Sequence, residues 1–161
     1  MTTTLAPPVT VRAATTADLE TLVEMGRRFL QTTQYRDRIA DDPAHVRRLA
    51  DLILHAGRHG RIVVAERDGA LVGMIWGLLI VHPLLNIALG TEVVWWVEPA
   101  ARGSGAGRAL FTALEAWAQA EGAVAMQFTA YRDEQLERVY RRYGYVPQEI
   151  VFEKRFPDAH P

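Results

Sequence analysis

Apolar and polar positions along the chain repeat with two periods, and each change of period marks a new element. Val9 to Ala14 alternates over a short stretch and predicts a first strand. Thr15 then stands at an N-cap position with Asp18 three residues on. Leu19, Leu22, Val23, Gly26, Phe29 and Leu30 recur at helical spacing, which predicts a helix to about Gln31. Residues 31–41 are polar and aperiodic and read as a loop. Asp42-Pro43 is a helix start, a capping carboxylate followed by proline in the first turn. Val46, Leu49, Ile53 and Ala56 form the buried stripe, and Gly57 ends the helix.

Arg61–Glu66 and Leu71–Val81 are β-rich runs joined by Arg67-Asp68-Gly69-Ala70, where Asp-Gly between apolar runs signals a hairpin. Gly73 and Gly77 inside the second run predict a bulge or a close backbone contact. His82-Pro83 ends it. Thr91–Val97 is a further strand stopped by Glu98-Pro99. A glycine-rich turn leads into a helix from about Arg108 to Glu121, with Leu110, Ala113, Leu114 and Trp117 inward and Gly122 as its cap. Val124–Thr129 reads as a strand, Asp133–Tyr143 as a helix closed by Gly144, and Ile150–Phe156 as a last strand. The order β-α-α-β-β-β-α-β-α-β implies an α/β fold, a mixed sheet flanked by about four helices. The crossover from Thr91–Val97 to Val124–Thr129 makes those two strands parallel neighbours.

Composition narrows the class. The 161 residues suffice for one domain, expected over 9–156, with residues 1–8 and 157–161 as disordered ends. A net charge of −1 argues against a nucleic-acid binder, which usually carries a marked basic excess. With no cysteine, disulfides, thiolate metal sites and a cysteine acyl-enzyme are excluded, which fits a cytoplasmic location. Met1–Pro8 lacks the basic start and apolar core of a signal peptide, and the apolar run Met74–Val81 is too short to span a membrane.

The chemistry concentrates at Arg102-Gly103-Ser104-Gly105-Ala106-Gly107-Arg108, between a strand and a helix. Alternating glycines let the backbone turn tightly and approach a ligand closely. The N–H groups of the turn and of the helix start then converge on an anion, with the helix dipole adding about 0.3–1 kcal/mol per charge. Arg102 and Arg108 add full positive charge, so a pyrophosphate is the natural guest. A P-loop would need Gly-Lys-Ser/Thr, but Gly107 is followed by Arg108-Ala109. A dinucleotide fingerprint would need Gly-x-Gly-x-x-Gly, which the same residues break.

At this point the chain resembles the GNAT superfamily of acyl-CoA N-acyltransferases. Val97-Glu98-Pro99 followed by Arg102-Gly103-Ser104-Gly105-Ala106-Gly107 matches one family motif, and Val139-Tyr140-Arg141-Arg142-Tyr143-Gly144-Tyr145 matches a second. The resemblance spans about Val9 to Phe156. It implies that the two parallel strands splay apart around the pantetheine arm of acetyl-CoA, a co-substrate bound to main-chain groups near Trp96 and Val97. It further implies that the pyrophosphate sits on the turn, that the Val97 N–H polarises the acyl carbonyl, and that Tyr140 protonates the departing thiolate. Where the family often carries Asn, seven residues before that tyrosine, this chain has Asp133, an anion in an expected cofactor-binding position.

Other residues read less sharply. Glu92 is a candidate base for the attacking ammonium, against the alternative of an ordinary strand-end charge. Glu98 is expected to be solvent-exposed. Trp95 and Trp96 are adjacent and face opposite sides of the sheet, with core packing the better reading for both. His55 and His82 have no partners at ligand spacing, so no metal site is expected. Arg138, Arg141 and Arg142 read as a solvated helix face. Mixed charge between the first two helices selects no one acceptor. A small-molecule amine and a protein amine both remain open, no nucleic acid or membrane partner is called for, and a homodimer is compatible. A non-catalytic acyl-CoA-binding module of the same fold is the alternative reading.

Overall fold

The periodic stretches become elements largely where the pattern puts them. A computed structural model describes residues 8–33, 36, 41–130 and 134–154. The expected loop residues 34, 35 and 37–40, Asp133, and all but one residue of the expected disordered ends lie outside the described residues. The strands are β1 (Thr10–Ala13), β2 (Gly60–Arg67), β3 (Ala70–Val81), β4 (Ala88–Val97) and β5 (Ala125–Gln127). The helices are α1 (Leu19–Thr32), α2 (Pro43–Leu54), α3 (Ala106–Ala120) and α4 (Glu134–Arg142). The strands lie in sequence order in one sheet, antiparallel except for the parallel pair β4–β5.

Both faces of the sheet are covered, which is why β2 and β3 read as near-continuous apolar runs rather than alternating ones. Ile62, Val64, Met74, Trp76, Val94 and Trp96 face α1 and α2, where they meet Leu22, Met25 and Ile53. Val63, Ala65 and Ile75 face α3, where they meet Leu110, Leu114 and Trp117. Each such aliphatic side chain contributes about 1.5–3 kcal/mol by leaving water.

Capping follows the sequence signals. The Asp18 carboxylate accepts the Thr15 N–H at 2.8 Å and both Arg12 terminal nitrogens at 2.8 and 2.9 Å. Asp42 accepts the His45 N–H at 2.9 Å at the start of α2. Asp68 and Gly69 both have positive φ, +54° and +74°, as a two-residue hairpin turn requires.

Several boundaries differ from the pattern. In α2 it is Ala50, fully buried, that completes the stripe with Val46 and Ile53, and the helix ends at Leu54. β4 begins three residues early because the small Ala88, Leu89 and Gly90 pair with β3 across a loop. That loop is tied by His82, whose Nδ1 accepts the Leu84 and Leu85 N–H groups at 3.2 Å. α3 starts at Ala106, directly after Gly105 at φ +91°. The strand expected over Ile150–Phe156 is not present in its described part: Ile150 to Lys154 is irregular, and Phe152 is 92% exposed. β propensity orders a strand only when a neighbour pairs with it and covers it, and nothing described does so here. No described helix is long and apolar enough to cross a membrane.

Candidate active site

The sheet opens between its two parallel strands. Leu89, Gly90 and Thr91 of β4 pair with Ala125, Met126 and Gln127, and there β5 ends while β4 runs on to Val97. At the same place β4 carries a bulge. Trp76 of β3 lies opposite Val94 and Gly77 opposite Glu92, so Val93 is an extra residue. Val93 and Val94 both pack on the α1–α2 side. Alternation on either side of them therefore turns Glu92 and Trp95 to the other face, toward α3 and α4.

Main-chain groups of β4 also become available. The Glu98 N–H bonds to the Val72 carbonyl at 2.9 Å, which makes Val97 and Gly73 a non-hydrogen-bonded pair. Val97 and Trp95 consequently direct their N–H and C=O groups away from β3, toward the open side of the strand.

Glu92 lies at the fork. Burial pushes its carboxyl up to about 7, and the nearby Thr129 main chain offsets part of that shift. The Tyr140 hydroxyl donates to the carbonyl of the same Thr129 at 3.5 Å. Thr129 thus sits between the two titratable groups. The Tyr140 ring is buried in an aromatic cluster, 5.3 Å from Phe128 and 6.2 Å from Trp95, with Phe111 stacked 4.6 Å from Phe128. α4 is anchored there by its C-terminal turn. Gly144 takes φ +85°, the Tyr145 N–H bonds the Tyr140 carbonyl at 3.0 Å, and the Tyr145 hydroxyl donates to Glu115 of α3 at 2.6 Å. Burial and the Glu115 carboxylate push the Tyr145 phenol up, so it stays protonated as that donor.

The glycine-rich turn lies at the far end of β4. Gly103 and Gly105 have φ of +81° and +91°, and a Cβ on either would point into open space. The first α3 amide to bond its own helix is Ala109, which donates to the Gly105 carbonyl at 3.0 Å. The Ala106, Gly107 and Arg108 amides precede the ladder, and Ala106 reaches only the Ser104 hydroxyl, at 3.4 Å. α3 lies close to Trp95 at Gly107, where an added Cβ would be in ordinary contact with the ring at 3.6 Å. Arg102 does not project over the turn alone. Its Nε donates to the Val97 carbonyl at 3.1 Å and its guanidinium lies 5.0 Å over the Trp96 ring. Arg108 is exposed.

Tyr140 bonds the main chain just beyond β5, Glu92 lies where the β4–β5 pairing ends, and Val97 and residues 102–108 follow one another from the end of β4 into α3. Asp133 lies outside the described residues. Trp96 is core, as expected of one of the pair, while Trp95 borders the aromatic cluster. Glu98 is not a free surface charge: it accepts from Arg28 of α1 at 2.7 Å. Sequence reasoning missed Thr129, Phe111 and Phe128. The two phenylalanines were signalled by their place beside the predicted stripe and at the end of the predicted strand, whereas a main-chain role leaves no mark on side-chain identity. A groove of about 350 Å³ between β1, β2 and α3, lined by Arg61 and Trp117, is remote from these groups. Among the described residues no three His, Asp or Glu side chains cluster to hold a metal.

Comparison with known proteins follows the same outline. The model of the Acetyltransferase (GNAT) family matches residues 25–145. No curated protein sequence matches the chain. Among solved structures, an aminoglycoside N-acetyltransferase in complex with CoA is similar at TM-score 0.78 and 16% identity, over 97% of this chain and 99% of that one. A transcriptional regulator from Bacillus halodurans C-125 is similar at TM-score 0.74 and 24% identity, over 92% and 99%. Glucosamine-6-phosphate N-acetyltransferase from Arabidopsis thaliana is similar at TM-score 0.73 and 16% identity, over 92% and 98%. At these identities the solved structures establish the fold.

Proposed function

The chain belongs to the GNAT acetyltransferase family, and from that premise we propose that it moves an acetyl group from acetyl-CoA directly to a primary amine. The observation that carries the mechanism is the placement of Glu92 where the pairing of β4 with β5 ends, its carboxyl pushed up to about 7 by burial, with the Tyr140 hydroxyl bonded to the Thr129 carbonyl just beyond β5. A base is most useful when its pKa lies close to the working pH.

The pyrophosphate of acetyl-CoA fits the turn, where open space at Gly103 and Gly105 admits a close approach and the first α3 amides lie outside the helix ladder. The thioester arm then runs along the unpaired side of β4. There the Val97 N–H, turned away from β3, is a donor for the oxygen that gains charge as the amine attacks. Glu92 takes one proton from the attacking ammonium. The intermediate collapses, the C–S bond breaks, and Tyr140 gives its proton to the leaving sulfur. The second proton released from nitrogen restores the tyrosine through solvent, and Glu92 returns its own to solvent. The net reaction converts ammonium and thioester to amide, thiol and one proton. The chain contains no cysteine to carry an acetyl group, which supports direct transfer within a ternary complex. Asp133, outside the described residues, is kept as a lesser candidate at the CoA side.

The acceptor is a small-molecule or protein amine. A panel of primary amines and amine-bearing peptides, assayed with acetyl-CoA by thiol release and by mass increase of the acceptor, tests the reading. Turnover with a defined amine supports it. Tight CoA binding with no turnover across the panel would favour the non-catalytic binding module instead.

A further inference from the structure

α3 packs over β2, β3 and β4, and between it and the edge strand β1 the groove of about 350 Å³ remains. That volume lies in the range of small-ligand pockets. The lining is mostly apolar, with Val11 and Val63 on the strands and Ala113, Trp117 and Ala120 on the helix. Arg61 is the exception. It stands opposite Gly77, and alternation with Val63 and Ala65 puts its side chain on the α3 face. Its guanidinium carbon lies 5.9 Å over the Trp117 ring. Its Nε is buried and meets no acceptor among the described residues, and the same holds for the Trp117 indole N–H.

The neighbouring ion pairs are made without Arg61. Glu121, at the rim, is held by Arg58, which donates to its carbonyl at 2.6 Å and lies 3.7 Å from its carboxylate. Arg12, opposite Val64, turns to the α1–α2 face, where Asp18 and Glu66 accept from it. Among the described residues no salt bridge neutralises Arg61. Buried donors without acceptors are rare in native proteins. Two of them line this groove, and one belongs to a cation without a counter-charge. We propose that the groove is a second ligand site, for a small carboxylic acid with an apolar body. The carboxylate pairs with the Arg61 guanidinium, and the body lies on Trp117 between Val11 and the α3 alanines.

A single guanidinium matches a single carboxylate through two parallel N–H···O bonds. A dianionic phosphate would call for a second cation, and Arg12 is engaged on the other face. The apolar walls strengthen the ion pair by excluding water and favour a hydrocarbon body. Trp117 and Leu114 pack over Gly77, which separates Arg61 from Glu92 in the register, so the groove is closed off from the fork. The site goes beyond the acyl transfer proposed above and does not depend on it.

The test is NMR of isotope-labelled protein with benzoate, phenylacetate and hexanoate as probes. The Trp117 indole N–H is identified by its loss in Trp117→Phe. Each acid should move that resonance with a Kd on the order of 1 mM or tighter, whereas the matching alcohols and inorganic phosphate should not. Arg61→Met keeps the stem, removes the charge, and should weaken binding about tenfold or more. Ala113→Leu keeps Arg61, fills the groove, and should abolish binding. If one variant does not fold, the other decides. Saturating CoA should leave the carboxylate affinity unchanged. A Trp117 resonance that stays still up to about 20 mM acid overturns the proposal. So does affinity that survives both variants, that the alcohols or phosphate match, or that CoA abolishes by competition. None of these readouts needs turnover, so failure of the groove and failure of the acyl transfer are read separately.

Discussion

Glu92→Gln should make the protein more stable, and increasingly so as the pH rises. In the unfolded chain the carboxyl has its ordinary value near 4.5, whereas in the folded state it is pushed up to about 7. Between those values the folded state holds a proton that the unfolded state has lost, so wild-type stability is fully present below 4.5 and falls as the pH rises through 7. A separation of this size corresponds to about 3 kcal/mol, an upper bound because Glu92 keeps part of its surface accessible. Glutamine is neutral at every pH and occupies nearly the same volume. The stability difference between variant and wild type should therefore grow by about 2 kcal/mol from pH 5 to pH 8.5. Urea unfolding of both proteins at the two pH values measures it, and all other titrating groups cancel in the comparison. A difference that does not change with pH, or that shrinks as pH rises, would mean a solvated carboxylate of ordinary acidity. The argument for a base poised near neutrality would then fail. The same substitution should abolish the acid limb of kcat/KM near pH 7, so the gain in stability accompanies a loss of rate.

Three further outcomes are expected. Tyr140→Phe keeps the ring in its aromatic cluster and loses one long hydrogen bond, so folding should change little while kcat falls on the order of 10²-fold; a rate within threefold of wild type, where chemistry limits turnover, removes it as the acid. Gly105→Asn and Gly105→Asp project into open space but strain the backbone at φ +91°, so both should lose some stability in urea unfolding while calorimetry finds CoA affinity reduced about tenfold or more, and more by aspartate; unchanged affinity in the aspartate variant would move the phosphate site elsewhere. Gly73→Ala would put a Cβ 2.9 Å from the Trp96 carbonyl, which is backbone and cannot give, and 3.1 Å from buried Leu110, so it should cost about 1–3 kcal/mol in urea unfolding; a neutral effect would show that β3 and β4 are less tightly packed than drawn.

Most of the framework was legible because its signals are local. The Asp-Gly hairpin, the Asp42-Pro43 start, and Gly122 and Gly144 as helix ends each depend on backbone conformations that few residues adopt, and each lies where it was expected. Tyr140 and the glycine-rich turn were legible through motif spacing. The rest depended on partners distant in sequence. Ala88–Gly90 carries little strand preference and is recruited by pairing with β3. Val124 to Thr129 reads as a full strand, yet only Ala125–Gln127 stays in the sheet, because the partner strand turns away. Ile150–Lys154 has strand composition and no described neighbour to pair with. Glu98 looked like a surface charge until the fold brought Arg28 to it.

The bulge at Val93 explains why a charged residue can stand inside this sheet at all. With strict alternation, Glu92 would face the same side as Val94 and Trp96, beneath α1 and α2, in the tightest part of the core. There its desolvation would find no compensating donor, and the sequence would favour an apolar residue. The extra residue reverses the parity of everything before it, so Glu92 joins Trp95 on the α3–α4 side. The same irregularity adds twist to β4 just where its pairing with β5 ends. Gly77, opposite Glu92, keeps this face close to α3, since a Cβ there would lie 2.7 Å from a Leu114 methyl and 3.2 Å from the Trp117 ring and one of them would have to shift. The inserted residue thus sets the face of the carboxylate beside the end of the β4–β5 pairing, which ties the placement of the proposed base to the opening that would admit the thioester.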